Sequence, residues 1–197
     1  MNIKQQIYFC ILCIAWLSFS CIDRKTSVGT GKLLPDRILR IAGNNQTGTV
    51  GSEAYTELTV RVLDEMNQPV AKVRVEYSVQ YGDASLSDTV ATTNFDGYAK
   101  TKVTFGIKAD SIGITATVLG LKGSPVIFTL QSLAANASVL TSAATSLSGS
   151  AGSVKQVSVR ASDAYDNSVK NAIVSFTAKP GGGSVSNANA VTDSAGV

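Results

Sequence analysis

The stretch from Leu58 to Val79, LTVRVLDEMNQPVAKVRVEYSV, alternates between apolar and polar residues on both sides of a polar centre. Apolar residues occupy every second position from Leu58 to Val62 and again from Val73 to Val79. Alternation over such lengths predicts strands with one buried face and one solvated face. The polar centre, from Asp64 to Pro69, predicts a turn built on Asx side chains. The stretch therefore predicts two strands joined by a turn.

The same pattern returns 99 positions later, where residues 154–197 align without a gap to residues 55–98. A repeat of this kind indicates two copies of one structural unit. In both copies a glycine, Gly97 or Gly196, stands where a turn needs a positive φ. The alignment contains eleven identical pairs: Val60/Val159, Arg61/Arg160, Asp64/Asp163, Val70/Val169, Val75/Val174, Gly82/Gly181, Ser85/Ser184, Ser87/Ser186, Ala91/Ala190, Thr93/Thr192 and Gly97/Gly196.

Three more strand candidates follow in the first copy, at Ala99–Phe105, Ile112–Leu119 and Val126–Leu130. Strands at intervals of about 8 to 12 residues, in a unit of about 100 residues, are typical of an immunoglobulin-type sandwich. Charged residues make up only 16% of the chain, which agrees with a strand-rich fold. We therefore predict an all-β protein of tandem immunoglobulin-like antiparallel β-sandwiches, with one repeat at residues 36–134 and a second at residues 135–197.

The second copy stops at Val197, the residue that aligns with Tyr98. The first copy continues past Tyr98 through the strands that end near Leu133. We therefore expect the second sandwich to be truncated as written, and the sequence to be a fragment of a longer protein.

The turn and strand residues of both copies resemble the bacterial immunoglobulin-like domain 1 family, which occurs in intimin and invasin stalks. The resemblance implies an immunoglobulin-like sandwich that serves as a building block of surface proteins. The second copy departs from the family pattern at Ser168, where proline is usual. The residues that match are Asp64, Asn67, Pro69, Val70, Gly82, Thr92, Thr93, Gly97 and Ala99 in the first copy, and Asp163, Asn167, Val169, Gly181, Thr192, Asp193 and Gly196 in the second.

The first 20 residues predict a secretory signal peptide. A start with one lysine is followed by a 13-residue apolar run, Ile7–Phe19, and by small residues flanking Phe19. Cys21 follows directly, and its placement resembles a bacterial lipoprotein signal, although Ser18 stands where leucine is usual. We predict lipidation of Cys21, with residues 21–35 as a flexible tether. Ordinary cleavage after Ser20, which leaves a thiol at Cys21, stays open as the alternative.

The composition excludes several classes of chemistry. Histidine is absent, which excludes Ser-His-Asp and Cys-His nucleophile systems and all histidine-containing zinc sites. The net charge of +3 comes from scattered lysine and arginine, so the sequence predicts no nucleic-acid partner. No cysteine follows Cys21, so the repeats have no internal disulfide. We predict no catalytic residue, no metal and no cofactor.

Four groups of residues remain as candidate sites, and each has a structural interpretation. The DAYDN segment, Asp163–Asn167, holds residue types that bind cations, but an Asx turn capped by Asp163 fits it better. Asp64 is predicted to cap the corresponding turn of the first copy. The glycines at 181–183 predict a flexible connection. Tyr77 and Phe176 fall at inward positions of strands.

The fourth group is Tyr81, Phe95 and Tyr98, which fall near loops and would form a contact surface or simply pack.

The sequence favours a non-catalytic stalk or spacer of an adhesin-type surface protein, exported and held at the outer membrane or cell surface by the lipid on Cys21. Its partners would then be the membrane and a protein or glycan ligand of a host or cell surface. Two alternatives stay open. The loops would bind a protein or glycan ligand themselves, or the repeats would be the appendage of a secreted enzyme whose catalytic domain lies beyond residue 197.

Overall fold

The computed structural model describes residues 34–142, 144, 146–181 and 183–197. The predicted signal peptide at residues 1–20, Cys21 and the tether up to residue 33 lie outside the described residues. The described part is built from strands and turns, so it contains no helix that could cross a membrane. In chain order the strands are β1 (Arg37–Ala42), β2 (Gln46–Thr49), β3 (Leu58–Leu63), β4 (Arg74–Tyr81), β5 (Ala84–Leu86), β6 (Val90–Thr92), β7 (Tyr98–Thr101), β8 (Val103–Phe105), β9 (Ser111–Thr117), β10 (Val126–Leu133), β11 (Val139–Ser142), β12 (Val159–Ser162), β13 (Ile173–Ser175) and β14 (Asn189–Val191).

The first repeat is a sandwich of two sheets. One sheet has the order β1-β3-β7, the other has the order β2-β10-β9-β4-β6, and β5 pairs with β8 at the side. This architecture confirms the predicted all-β, immunoglobulin-like fold. The pairs are antiparallel except for β2, which runs parallel to β10 at the edge of the larger sheet. The prediction of antiparallel sheets missed this pair because β2 and β10 lie far apart in the sequence.

The core lies between the two sheets and follows the alternation of the sequence. Leu58, Val60 and Val62 of β3 are fully buried, and they face Ile114 and Phe128 of the larger sheet in one apolar cluster. Burial of these side chains supplies most of the stabilisation of such a sandwich. The register of β3 is thereby fixed, because a shift by one residue would carry Arg61 into the core.

Tyr77 is a core aromatic residue, as predicted. Its ring is buried, and its hydroxyl donates to the backbone oxygen of Ala99 at 3.0 Å. The bond joins β4 of the larger sheet to β7 of the smaller one. Burial raises the pKa of the Tyr77 hydroxyl well above its ordinary value, so this group stays a neutral donor.

The predicted strand Ala99–Phe105 is divided at Lys102 into β7 and β8, which pair with different partners. The buried Thr101 hydroxyl donates to the oxygen of Asp88 at 2.8 Å, and the N–H of Lys102 donates to the hydroxyl of Ser87 at 3.0 Å. These bonds turn the chain from one sheet to the other. Alternation continues through the break, which is why the sequence alone predicted one strand.

The described part of the second repeat consists of two pairs, β11–β12 and β13–β14. Ala161 and Val174 are buried. Phe176 is only half-buried, contrary to its predicted inward placement, and Val157 is half-exposed. Both residues lie outside the paired strands, since β12 begins at Val159 and β13 ends at Ser175, so no ladder holds them against the core.

Candidate functional site at the junction of the repeats

The turns of the two copies are capped by equivalent aspartates. One Asp163 oxygen, Oδ1, accepts the N–H groups of Tyr165 and Asn167, both at 2.9 Å. Asp64 caps the turn of the first copy through two donors at the same offsets, at 2.9 and 2.7 Å. The predicted capping role of Asp64 and Asp163 is confirmed, and each turn is fixed by a carboxylate that lies within it.

Asn167 reaches from the second repeat to the first. Its Nδ2 donates to the oxygen of Ile107 at 2.8 Å, and its Oδ1 accepts the N–H of Ala109, also at 2.8 Å. The Nδ2 group also donates to Oδ2 of Asp163 at 2.9 Å. A carboxamide is suited to this position because it presents a donor and an acceptor side by side. Asn167 therefore connects the turn of the second repeat to a loop of the first.

Asp163 links the same turn to the segment between the repeats. Its Oδ2 accepts the N–H of Ala135 at 3.0 Å, two residues after the end of β10. The residue is fully buried. Burial alone would raise the pKa of this carboxyl, but hydrogen bonds from the Asn167 side chain and from the backbone of Ala135, Asn167 and Tyr165 hold it below its ordinary value. Asp163 is therefore a charged, fully hydrogen-bonded group at the junction.

The loop that receives Asn167 is fixed from within the first repeat. Asp83 Oδ2 accepts the N–H of Ile107 at 2.7 Å and that of Lys108 at 3.2 Å. The buried Ser132 hydroxyl donates to the oxygen of Lys108 at 2.6 Å and accepts the N–H of Asp110 at 2.9 Å. Both partners of the junction are thus ordered by their own repeats, and contact between them costs little additional conformational entropy.

The DAYDN segment forms this junction turn. Asp163 uses both carboxylate oxygens for N–H donors, and Asp166 pairs with Arg160 at 2.5 Å. A cation would have to displace these donors, so the turn interpretation is confirmed by the hydrogen bonds themselves. Among the described residues, no three His, Cys, Asp or Glu side chains converge as a metal site would require.

The aromatic residues Tyr81, Phe95 and Tyr98 do not form one contact surface. Tyr98 packs under the guanidinium of Arg61, 4.9 Å from the ring centroid. Tyr81 lies at the end of β4 against Gly113, whereas β6 pairs with the start of β4, so the loop that carries Phe95 lies at the opposite end of that strand. Phe95 is exposed. The alternative of a shared surface is therefore wrong for this group.

A buried threonine in each copy carries a role that strand alternation did not predict. The Thr93 hydroxyl donates to the oxygen of Val70 at 2.7 Å and accepts the N–H of Val73 at 2.9 Å. Thr192 makes the equivalent bonds at the same two distances. The identity of Thr93 and Thr192 in the repeat alignment was the sequence feature that could have identified them.

Asn167 was also missed as a connecting residue, because its partners lie 58 and 60 positions earlier in the chain. The alignment by 99 positions places Gln68 opposite Asn167 and Asn67 opposite Asp166. Among the described residues, the side chain of Gln68 is hydrogen-bonded only to Met66, within its own turn. The difference at this position was the available clue that the two turns do not have the same environment.

Comparison with known proteins gives a family match that falls within the first repeat. Residues 41–131 match the family model described as Bacterial Ig-like domain (group 1). No curated protein sequence matches the chain.

Among solved structures, the D0-D1 domain of intimin is 18% identical with a TM-score of 0.40, covering 82% of this chain and 80% of that one. The Escherichia coli adhesin FdeC is 18% identical with a TM-score of 0.46, covering 74% of this chain and 48% of that one. A 282-residue C-terminal fragment of intimin, in complex with the intimin-binding domain of the translocated intimin receptor, is 19% identical with a TM-score of 0.38. The match covers 55% of this chain and 35% of that fragment.

Proposed function

Residues 41–131 are a bacterial Ig-like domain of group 1, and from this premise we infer that the chain is a non-catalytic stalk segment of an adhesin-type surface protein. In this proposal the repeats at residues 36–134 and 135–197 act as consecutive spacers. Cys21, lipidated after removal of residues 1–20, attaches them to the cell envelope through residues 21–35. Ligands of the whole protein, whether protein or glycan, are then held at a distance from the membrane.

The observation that carries the proposal is the junction between the repeats. A spacer works only if successive domains keep a fixed orientation, because a flexible linker collapses the distance that the domains would otherwise span. Asn167 provides that constraint through two hydrogen bonds to the first repeat, at Ile107 and Ala109. Asp163 fixes the start of the second repeat to the same turn through Ala135. The linking segment leaves β10 at Leu133 and is hydrogen-bonded again at Ala135, so only Ala134 between them is free to change the orientation of the repeats.

The chemistry of the described residues supports a structural role. The buried carboxylates, Asp64 and Asp163, accept backbone N–H groups and are committed to turns. An open cavity of about 250 Å³ beside β11 and β12 is lined by hydroxyl and apolar side chains and by the guanidinium of Arg160. Acid–base catalysis most often uses His, Asp, Glu, Lys, Tyr or Cys side chains, and among the described residues none of these lines that cavity.

Pulsed electron paramagnetic resonance of a spin-labelled pair tests the spacer. The full chain, with Cys10, Cys13 and Cys21 replaced by serine, would carry Thr104→Cys and Lys170→Cys as labelling sites, both exposed. We expect a narrow distance distribution between the labels.

Two further variants complete the test. Asn167→Ala should broaden the distribution, whereas Gln68→Ala, at the equivalent position of the first repeat, should leave it unchanged. A broad distribution in the parent chain would refute the rigid spacer. Membrane attachment is tested separately by the loss of lipid labelling and of membrane fractionation in the Cys21→Ser chain.

A further inference from the structure

One end of the first repeat carries an unusual set of exposed apolar side chains. The five most exposed large apolar residues between positions 34 and 134 are Leu34 (68%), Tyr55 (99%), Met66 (80%), Phe95 (86%) and Leu119 (90%). Four of these, all except Tyr55, lie on loops at one end of the sandwich, which we call the apolar end. Large apolar side chains that gather on one surface indicate a contact that covers them.

Hydrogen bonds place the four loops side by side. The N–H of Asp36, two residues after Leu34, donates to the oxygen of Leu63 at 2.9 Å, directly before the turn that carries Met66. The oxygen of Asp36 accepts the N–H of Lys122 at 3.0 Å, which brings the loop of Leu119 to the same end.

The fourth loop is joined to the same end through β3. The N–H of Val62 donates to the oxygen of Gly97 at 2.8 Å, which places the turn of Phe95 beside the turn after β3. Tyr55, by contrast, follows Ala54, whose N–H bonds to Val103 of β8 at 2.8 Å along the side of the sandwich.

The second repeat shows what this end of a repeat looks like when another repeat covers it. There the turn 163–167 contacts the first repeat through the polar side chain of Asn167. By the alignment of 99 positions, Ser194 takes the place of Phe95 and Asn167 takes the place of Gln68. The apolar end therefore differs from the surface that meets another repeat. It carries Phe95 where that surface has Ser194, and Gln68 where that surface has the connecting Asn167.

The charges at the apolar end are nearly balanced. Lys72 and Lys122 are exposed there, and so are Glu65 and Asp96. Lys122 is paired with Asp36 at 2.7 Å, which raises the pKa of its ammonium group. Balanced charge gives no long-range attraction to an anionic surface or to a strongly charged protein. Contact at this end would be driven by the apolar side chains and would depend little on salt.

We propose that the apolar end rests on the surface of the lipid bilayer to which the chain is attached. This inference depends on the proposed anchoring at Cys21. Thirteen residues, Ile22 to Leu34, separate that cysteine from the apolar end, and they can span at most about 45 Å. An end held within that reach meets the bilayer at a high effective concentration, so a few apolar side chains suffice for contact. The first repeat is then in contact with the bilayer surface, and this contact fixes the orientation of the stalk at its membrane-proximal end.

Quenching by brominated lipids tests this contact in the full chain. Trp16 is the single tryptophan and lies within residues 1–20, which the proposed processing removes. The lipidated chain therefore holds no tryptophan of its own, and Phe95→Trp reports on the apolar end without background. Tyr55→Trp is the matched control, because Tyr55 is equally exposed but lies on the side of the sandwich. The chains, produced with their own leader in a bacterium that lipidates proteins, would be reconstituted into phosphatidylethanolamine and phosphatidylglycerol vesicles that contain brominated phosphatidylcholine.

We expect the reporter at position 95 to be quenched roughly threefold more than the reporter at position 55, because an interfacial side chain enters the bilayer by about 5 to 10 Å. Met66→Ser together with Leu119→Ser should reduce this difference, and added salt should not. Flotation of the vesicles measures anchoring independently. A chain that floats with equal quenching at both positions overturns the contact and leaves the anchor intact. A chain that neither floats nor is quenched overturns both the bilayer contact and the anchor at Cys21. If the chains float and self-associate but are not quenched, the contact with the bilayer is overturned and the apolar end binds a second copy of the chain.

Discussion

Replacing Asn167 with alanine is the sharpest perturbation of the junction. The change removes three hydrogen bonds, to Ile107, to Ala109 and to the carboxylate of Asp163. A neutral hydrogen bond contributes about 0.5 to 1.5 kcal/mol, and one to a charged group contributes more. The two bonds to the first repeat are accessible to water, which replaces part of their energy. We therefore expect Asn167→Ala to lower the free energy of unfolding of the second repeat by about 2 to 3 kcal/mol.

Urea unfolding of the full chain measures this loss, with probes in each repeat so that the two transitions are followed separately. Gln68→Ala is the control, since the side-chain hydrogen bond of Gln68 in the described part of the chain stays within its own turn, and it should cost less than about 0.5 kcal/mol. Asn167→Asp keeps the acceptor for Ala109 but sets a second carboxylate beside Asp163, so it should destabilise at least as much as alanine at neutral pH. Equal stability of Asn167→Ala and the parent chain would refute the reasoning that the junction is energetically coupled.

Three further outcomes follow from single residues of the fold. Thr93→Val should cost about 2 kcal/mol in urea unfolding, because two buried backbone groups lose their partner, and a cost near zero would contradict the assigned role. Gly97→Ala should cost about 2 kcal/mol or more, because φ is +78° and a Cβ would lie 2.6 Å from a backbone oxygen. Gly120→Ala, with φ +81° and open space around it, should cost only about 1 kcal/mol, and equal losses would show that the close approach is unimportant. The pKa of Asp163 is lower in the folded chain than in the unfolded chain, so its stabilisation is present above about pH 4 and is lost as the pH falls through the lowered value. Asp163→Asn should flatten the dependence of the urea midpoint on pH below about 4, and an unchanged slope would show that another group titrates.

The comparison of the two turns shows how one repeat unit is adapted to two positions in a chain. Both turns keep the aspartate cap and the buried threonine, which hold the turn itself. They differ at the residues that face outward, where Gln68 and Phe95 of the first copy correspond to Asn167 and Ser194 of the second. In these turns, the residues that are identical in both copies hold the turn itself, and the two outward-facing positions differ.

The prediction of strands succeeded where the physical constraint is local. Alternation in LTVRVL predicted the buried face of β3, since each side chain on a strand points to one face or the other. The predicted solvated face was wrong for this strand, because Thr59 is also buried and Arg61 is only partly exposed. The prediction was incomplete where the constraint is distant in sequence. The division at Lys102 depends on Asp88 and Ser87, and the parallel pair β2–β10 joins segments more than 80 residues apart.

The sequence by itself determined the all-β class, the repeat of 99 residues, the capped turns and the need for glycine at Gly97 and Gly196. These features follow from side-chain periodicity, Asx chemistry and backbone sterics, which act within a few residues. Only the tertiary structure decided that Asn167 joins the repeats and that the loops of Leu34, Met66, Phe95 and Leu119 gather at one end. A junction or a surface is made by residues that folding brings together, and their separation along the chain carries no record of that proximity.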